Sequence, residues 1–262
     1  MDLPTRAYWQ KLIISGNVLE IYDYEEPIRL GLKRKKRKQG VNRKSNITLS
    51  EDIEFEKEVK NNFSLRRTKS NIVRLINSNP ELKVFITLTF DDSKSFVGAF
   101  TNIDKCNLIF STFIKRLKRQ YFNLRYLAVP EFQSDYYYRS KIKKEFGGNI
   151  HYHVLCNLPY VSNDRLSKIW GYGFVDINNI RHVSRVGLYV AKYIGKELFD
   201  GRLFGKKKVF SSRQLLKPKI IITGRKVRDY LNNLESPPEL VVDKFYRSDY
   251  NGKVRYRLLK TV

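Results

Sequence analysis

The order of elements in this chain predicts an α+β fold built on a split βαβ sheet. Between Val84 and Ile177 the periods run strand, helix, strand, strand, helix, strand. The two middle strands are joined by a polar, tyrosine-rich stretch, 134–148, that ends in Gly147-Gly148 and fits a hairpin loop.

Each element has its own signal. Residues 1–30 mix aromatics and acids without a clear period, and a short strand or helix is the most they predict. Residues 33–44 are a block of lysine and arginine. Self-repulsion in such a block predicts a solvated linker, or an arm that lies on phosphates. From about Glu51 to Asn79 a helical, basic pattern places Arg66, Arg67, Lys69 and Arg74 around Leu65, Ile72, Leu75 and Ile76, and Pro80 follows its end. Val84–Phe90 is β-branched and aromatic, a strand. Asn102–Gln120 is an amphipathic helix with Ile103, Cys106, Phe110, Phe113, Ile114 and Leu117 at helical spacing. Tyr126–Phe132 reads as a strand in which Pro130 marks an edge or a bulge. Ile150–Cys156 is the next strand, and Pro159 closes it. Ser162–Ile169 is a short helix, Gly173–Ile177 a strand, and Ser184 can cap a helix that runs to about Phe199. The expected division is a basic N-terminal arm over 1–50, a central domain over 51–225, and a small β-rich appendage over 226–262.

Composition narrows the function. The 262 residues hold 51 Lys+Arg against 26 Asp+Glu, a net charge of +25, which favours a polyanionic partner, nucleic acid above all. No apolar run is long enough for a bilayer and no secretion signal opens the chain, so an intracellular protein without a membrane partner is expected. Cys106 and Cys156 are isolated in apolar contexts and read as reduced, packed thiols.

Two of the three histidines, His151 and His153, sit two apart on a strand, so both imidazoles point to one side while Tyr152 points to the other. That arrangement is half of a divalent-metal site. An oxygen ligand is wanted as well. Glu131, on the strand expected to pair with the histidine strand, is the first candidate. Gln133 follows it, and Glu145 and Asp135 in the loop are within reach. The plain alternative is two polar residues on a solvated face. A structural zinc site lacks a fourth Cys or His, and His182 reads as a surface residue.

About forty residues on, Tyr189, Lys192, Tyr193 and Lys196 follow i, i+3, i+4, i+7 and share one helical stripe, while Val190, Ala191, Ile194 and Leu198 lie off it. A purely structural tyrosine stripe would not carry regular lysines. A phenol with a pKa near 10 is a poor nucleophile, and a neighbouring ammonium favours the phenolate. Metal coordination of the scissile phosphate would supply the electrophilic half.

These motifs resemble those of rolling-circle replication initiators of the HUH endonuclease superfamily, the two-tyrosine kind of single-stranded DNA phages and related plasmids or mobile elements. Phe85–Phe90 resembles the family's first strand motif, which carries no catalytic group. His151-Tyr152-His153 is similar to its His-hydrophobic-His motif, with a tyrosine suited to a half-buried strand in place of the commoner aliphatic residue. Tyr189-Val-Ala-Lys192-Tyr193-Ile-Gly-Lys196 is similar to its YxxxY motif. Lys208–Pro218 resembles the segment that follows the tyrosine helix, without an assigned role. The resemblance covers roughly Arg66 to Pro218. It implies a five-stranded antiparallel sheet with the histidine pair at its centre, flanking helices, Mg²⁺ or Mn²⁺, single-stranded or hairpin origin DNA as substrate, and a 5′-phosphotyrosine intermediate in a bacterial host cell. It also places Glu131 as the third metal ligand.

Two other readings compete. A single-strand transposase or a relaxase would use the same chemistry, although relaxases usually carry the tyrosine before the histidines. A non-catalytic basic DNA-binding protein would need only the charge. No GxxxxGK[ST] pattern is present, so strand separation is expected from a host helicase.

Overall fold

The computed structural model describes residues 6–30, 64–96, 98–136, 143–145, 147–181, 183, 186–187, 190, 200–203 and 205–261. The basic block 33–44 and the start of the predicted helix from Glu51 lie outside the described residues. The chain forms two compact units, one of Met1–Lys60 with Lys217–Val262, the other of Asn61–Leu216.

In chain order the elements are β1 (Arg6–Ser15), β2 (Val18–Leu30), α1 (64–77), β3 (Val84–Thr89), α2 (Ile103–Gln120), β4 (Tyr126–Phe132), β5 (Ile150–Cys156), α3 (Asn163–Trp170), β6 (Val175–Asn179), β7 (Phe210–Ser211), β8 (Lys219–Ile222), α4 (Gly224–Asn232), β9 (Glu239–Ser248) and β10 (Gly252–Lys260).

The unit spanning 61–216 is the expected split βαβ sheet. Its strand order is β6-β3-β5-β4-β7, antiparallel throughout, with the histidine strand β5 in the middle. One face is covered by α2 and α3. α2 forms where the apolar spacing predicts, and Asn102 caps it by accepting from the Asp104 and Lys105 amides. Its buried Ile103, Cys106, Phe110, Phe113, Ile114 and Leu117 pack on Ile86, Leu88, Ala128, Tyr152 and Val154. Each such aliphatic or aromatic side chain contributes roughly 1.5–3 kcal/mol by leaving water. The other face takes Leu65, Ile72 and Ile76 of α1 against Phe85, Leu127, Val129 and Leu155.

Lys208–Pro218, unassigned from sequence, has a structural part here. Phe210 and Ser211 pair with Ala128 and Leu127 as the fifth strand. Ser212 exchanges hydrogen bonds with the Tyr126 backbone. The Leu216 backbone is held by the buried Asn79 amide through two bonds of 2.9 Å. Pro130 lies beyond the two-residue pairing with β7, where a missing N–H costs no ladder bond.

The other unit departs from the expected organisation. Residues 6–30, read as part of an arm, form a long hairpin, and the expected C-terminal appendage pairs with it. The sheet order is β8-β1-β2-β10-β9, again antiparallel, so both chain ends build one sheet. Val227 of α4 is buried with Leu12, Leu19 and Ile21, flanked by Tyr230 and Leu231. The division at 50 and 225 follows local composition, whereas the units follow strand pairing between residues far apart in sequence. Among the described residues, no helix is long and apolar enough to cross a membrane.

Candidate active site

The face of the central sheet beneath α1 changes character along its strands. One half is apolar, with Phe85, Leu127, Val129 and Leu155. The other half is polar. Across β3, β5 and β4, Thr89 stands opposite His151 and His151 opposite Glu131, and in the next row on that face Thr87, His153 and Val129 align. The strand alternation thus brings His151, His153 and Glu131 to one face. Asp176 of β6 lies opposite Thr87 in the same row.

His153 is 8% exposed and fully engaged. Its Nε2 contacts the Glu131 carboxylate, its Nδ1 lies 3.2 Å from Thr87 Oγ1, and its ring stacks on Phe85 at 5.6 Å between centroids. With the carboxylate accepting from Nε2–H, Nδ1 accepts from the Thr87 hydroxyl; in the other tautomer Nδ1–H donates to Thr87 and frees Nε2 to ligate. Thr87 is therefore a positioning residue that the sequence reading missed. Its signal was present: Thr87 and Thr89 alternate on a strand otherwise built of apolar residues.

His151 is half-buried. Its Nε2 is wholly buried and hydrogen-bonds to no described residue. Burial pulls its pKa from 6.5 down to about 4, against the opposing pull of Glu131, and His153 and Lys144 add to the depression. At neutral pH it is an uncharged imidazole, the form that binds a metal.

Tyr152 belongs to the opposite face and is completely buried, not half-buried as its place on the strand suggested. It stacks on Phe110 at 4.4 Å and donates to Asn107 Oδ1 at 2.7 Å. Burial raises its phenol's pKa, so it is no nucleophile. Cys106 and Cys156 are buried free thiols, as expected, both pushed up to about 12 by burial.

The other expected oxygen donors are less well placed. Asp135 accepts from the Gly148 amide and from Arg202, and these partners hold its carboxyl below the usual range. The loop closes tightly there: a Cβ on Gly148 would come within 2.1 Å of the Gln133 carbonyl oxygen. Glu145 is exposed on the loop, and Gln133 follows Glu131 by two on the same face, its backbone N–H donating to the Asn149 carbonyl.

Among the described residues, no set of three or more His, Cys, Asp or Glu is arranged to hold a metal ion. The donor chemistry nevertheless fits one. Two imidazoles and a carboxylate share a face, and the buried His151 Nε2 lacks a hydrogen-bond partner among the described residues. Binding requires Glu131 to leave His153 Nε2.

The basic residues lie above this face. Arg66 and Arg67 are exposed on α1, Lys69 and Arg74 are half-buried, and the Arg74 guanidinium donates to Asn71 Oδ1. Residues 186, 187 and 190 are helical, and Val190 is 1% exposed in the apolar cluster with Phe85 and Leu155, as the predicted stripe requires. Tyr189, Lys192, Tyr193 and Lys196 lie outside the described residues, as does His182.

Neither a curated protein nor a solved structure matches the chain. Residues 83–198, somewhat less than half of it, match the family model of the replication-associated protein ORF2. The matched stretch begins at β3, contains Glu131, His151 and His153, and ends just past Lys196. Over that stretch the chain is similar to this family of replication-associated proteins, and the match supports a protein of the replication-initiator type.

Proposed function

We propose that this chain nicks and reseals single-stranded origin DNA to start rolling-circle replication, through metal-dependent transesterification onto tyrosine. One observation carries the reading: His151, His153 and Glu131 share one face of the central strands, inside the stretch that matches replication-associated proteins.

His151, His153 and Glu131 would hold Mg²⁺ or Mn²⁺, which supplies a Lewis acid for the non-bridging oxygens of the scissile phosphate. Thr87 fixes the His153 ring through Nδ1, leaving Nε2 toward the phosphate side. Tyr189 or Tyr193 attacks phosphorus through its phenolate oxygen, with Lys192 and Lys196 favouring the deprotonated phenol. The P–O3′ bond breaks, the leaving 3′-oxygen takes a proton, and the 5′-phosphate stays on tyrosine. Attack by a 3′-hydroxyl reverses the step and needs no ATP, because the phosphodiester bond energy is kept in the phosphotyrosine. Two tyrosines one turn apart permit one transfer to open the circle and a second to close it. Arg66, Arg67, Lys69 and Arg74 hold the DNA backbone, and strand separation falls to a host helicase.

An origin oligonucleotide incubated with the full chain and Mg²⁺ or Mn²⁺ should acquire a covalent protein adduct, and EDTA should prevent it. The Tyr189→Phe/Tyr193→Phe double variant should bind the oligonucleotide and form no adduct. Mass spectrometry of the DNA-linked peptide identifies the nucleophile. An adduct that survives in the double variant refutes the tyrosine assignment.

A further inference from the structure

We infer that the terminal-strand unit carries a separate single-stranded DNA subsite, a groove beside β1 in which Trp9 stacks on a base. The location comes from this unit alone, outside the stretch that matches the replication-associated family. The choice of DNA as ligand rests on the function proposed above.

The groove has a volume of about 590 Å³ and is lined by Tyr8, Trp9, Gln10, Asp23, Tyr24 and Arg228. Trp9 is 56% exposed, unusual for the largest apolar side chain. It sits at a register break. Tyr8 pairs with Ile28 and Gln10 with Asp23, so Trp9 alone faces residues 24–27 of β2. Such bulges re-aim a side chain out of the ladder. Tyr8 and Tyr24, edge to face at 6.2 Å, give the groove further aromatic wall.

The polar lining suits a nucleotide. Arg228 is exposed on α4, where it can meet a phosphate. Asp23 would repel one, but it accepts from Arg257 at 2.8 Å and from Gln10 at 2.5 Å. Glu25, on the bulged stretch, accepts from the Lys253 amide. An aromatic platform beside a cation, in a chain of net charge +25, is the pattern by which proteins hold single strands without reading sequence.

The chain offers its own reporter. Of its two tryptophans, Trp9 is 56% exposed and Trp170 is buried, so emission from the exposed one can be followed separately. Oligodeoxythymidylate is titrated into the full chain in EDTA, where no cleavage intervenes, and binding is read by Trp emission and by anisotropy of a labelled oligonucleotide. Saturation should quench the Trp9 component. Trp9→Phe should bind with nearly unchanged affinity and no quenching. Trp9→Ala should bind at least about five-fold more weakly. Arg228→Gln should lower the salt slope of log affinity by about 0.7. Unquenched Trp9 emission at saturation, or wild-type affinity in Trp9→Ala, overturns the subsite. A mononucleotide that quenches as well as the oligonucleotide, at equal nucleotide concentration, makes the groove a nucleotide pocket and also overturns it. Failure of the nicking reading looks different: quenching persists, and no adduct forms when metal is restored.

Discussion

His151 bears a burial cost that its carboxylate neighbour only partly offsets, which makes it measurable at the scale of one residue. Its pKa falls from 6.5 to about 4. Above pH 6.5 the imidazole is neutral in the folded and unfolded chain alike and costs nothing. Below that value the unfolded chain takes up a proton that the folded chain refuses until about pH 4. Stability is therefore lost as pH falls through this window, by on the order of 3 kcal/mol at its lower end. Urea unfolding in EDTA, from pH 7 down to pH 4.5, should show this decline in the wild type and a shallower one in His151→Gln. Equal slopes would mean that His151 keeps an ordinary affinity for protons. His153 plays a different part, since Thr87 and Glu131 occupy both its ring nitrogens. The pair is chemically unequal, one nitrogen waiting and one spoken for, although the sequence presents the two histidines identically.

At the scale of elements, β5 shows how one strand serves two purposes. Ile150, Tyr152, Val154 and Cys156 enter the core beneath α2, and His151 and His153 face the other way. A second element constraint lies at Gly187, in the helical stretch that leads to Tyr189. A Cβ there would meet Asn77 Oδ1 at 2.4 Å and Val73 Cγ1 at 3.3 Å, both on α1. α1 and this stretch thus approach as closely as only glycine allows. Ala is accommodated if the Asn77 side chain swings aside, but Leu must push the stretch off α1. Gly187→Leu should cut adduct formation at least about ten-fold, because small misplacements of reacting groups are costly, and Gly187→Ala should lie between it and the wild type. Equal adduct yields across the three would show that the α1 contact does not position the nucleophile segment. The sequence announced α2, α3, β3, β4 and β5 because local period and caps determined them. Thr87's grip on His153 was not legible, because it depends on the β3–β5 register, which no local pattern states.

At the scale of the whole molecule, the two units differ in how their sequence encodes them. The central unit is made of neighbours in sequence, and element order sufficed to read its topology. The terminal unit joins residues more than 200 positions apart, as in the pairing of Leu19 with Leu259. Its hairpins do carry local signals: Gly16-Asn17 joins β1 to β2, and Asn251-Gly252 leads into β10, with Gly16 and Gly252 at positive φ. Nothing local says that the two hairpins share a sheet. The consequence is a sharp dependence of one chain end on the other. β10 lies between β2 and β9, so ending the chain after residue 238 removes a central strand and leaves β2 with a bare edge. Hydrogen exchange on the truncated chain should show lost protection at Leu19 and Ile21, which are 1% and 0% exposed in the intact protein, and unchanged protection at Ile86, Val154 and Leu155 of the central sheet. Retained protection at Leu19 and Ile21 would mean that the N-terminal hairpin and α4 form a stable structure without β9 and β10, and would remove the claim that the two ends fold together.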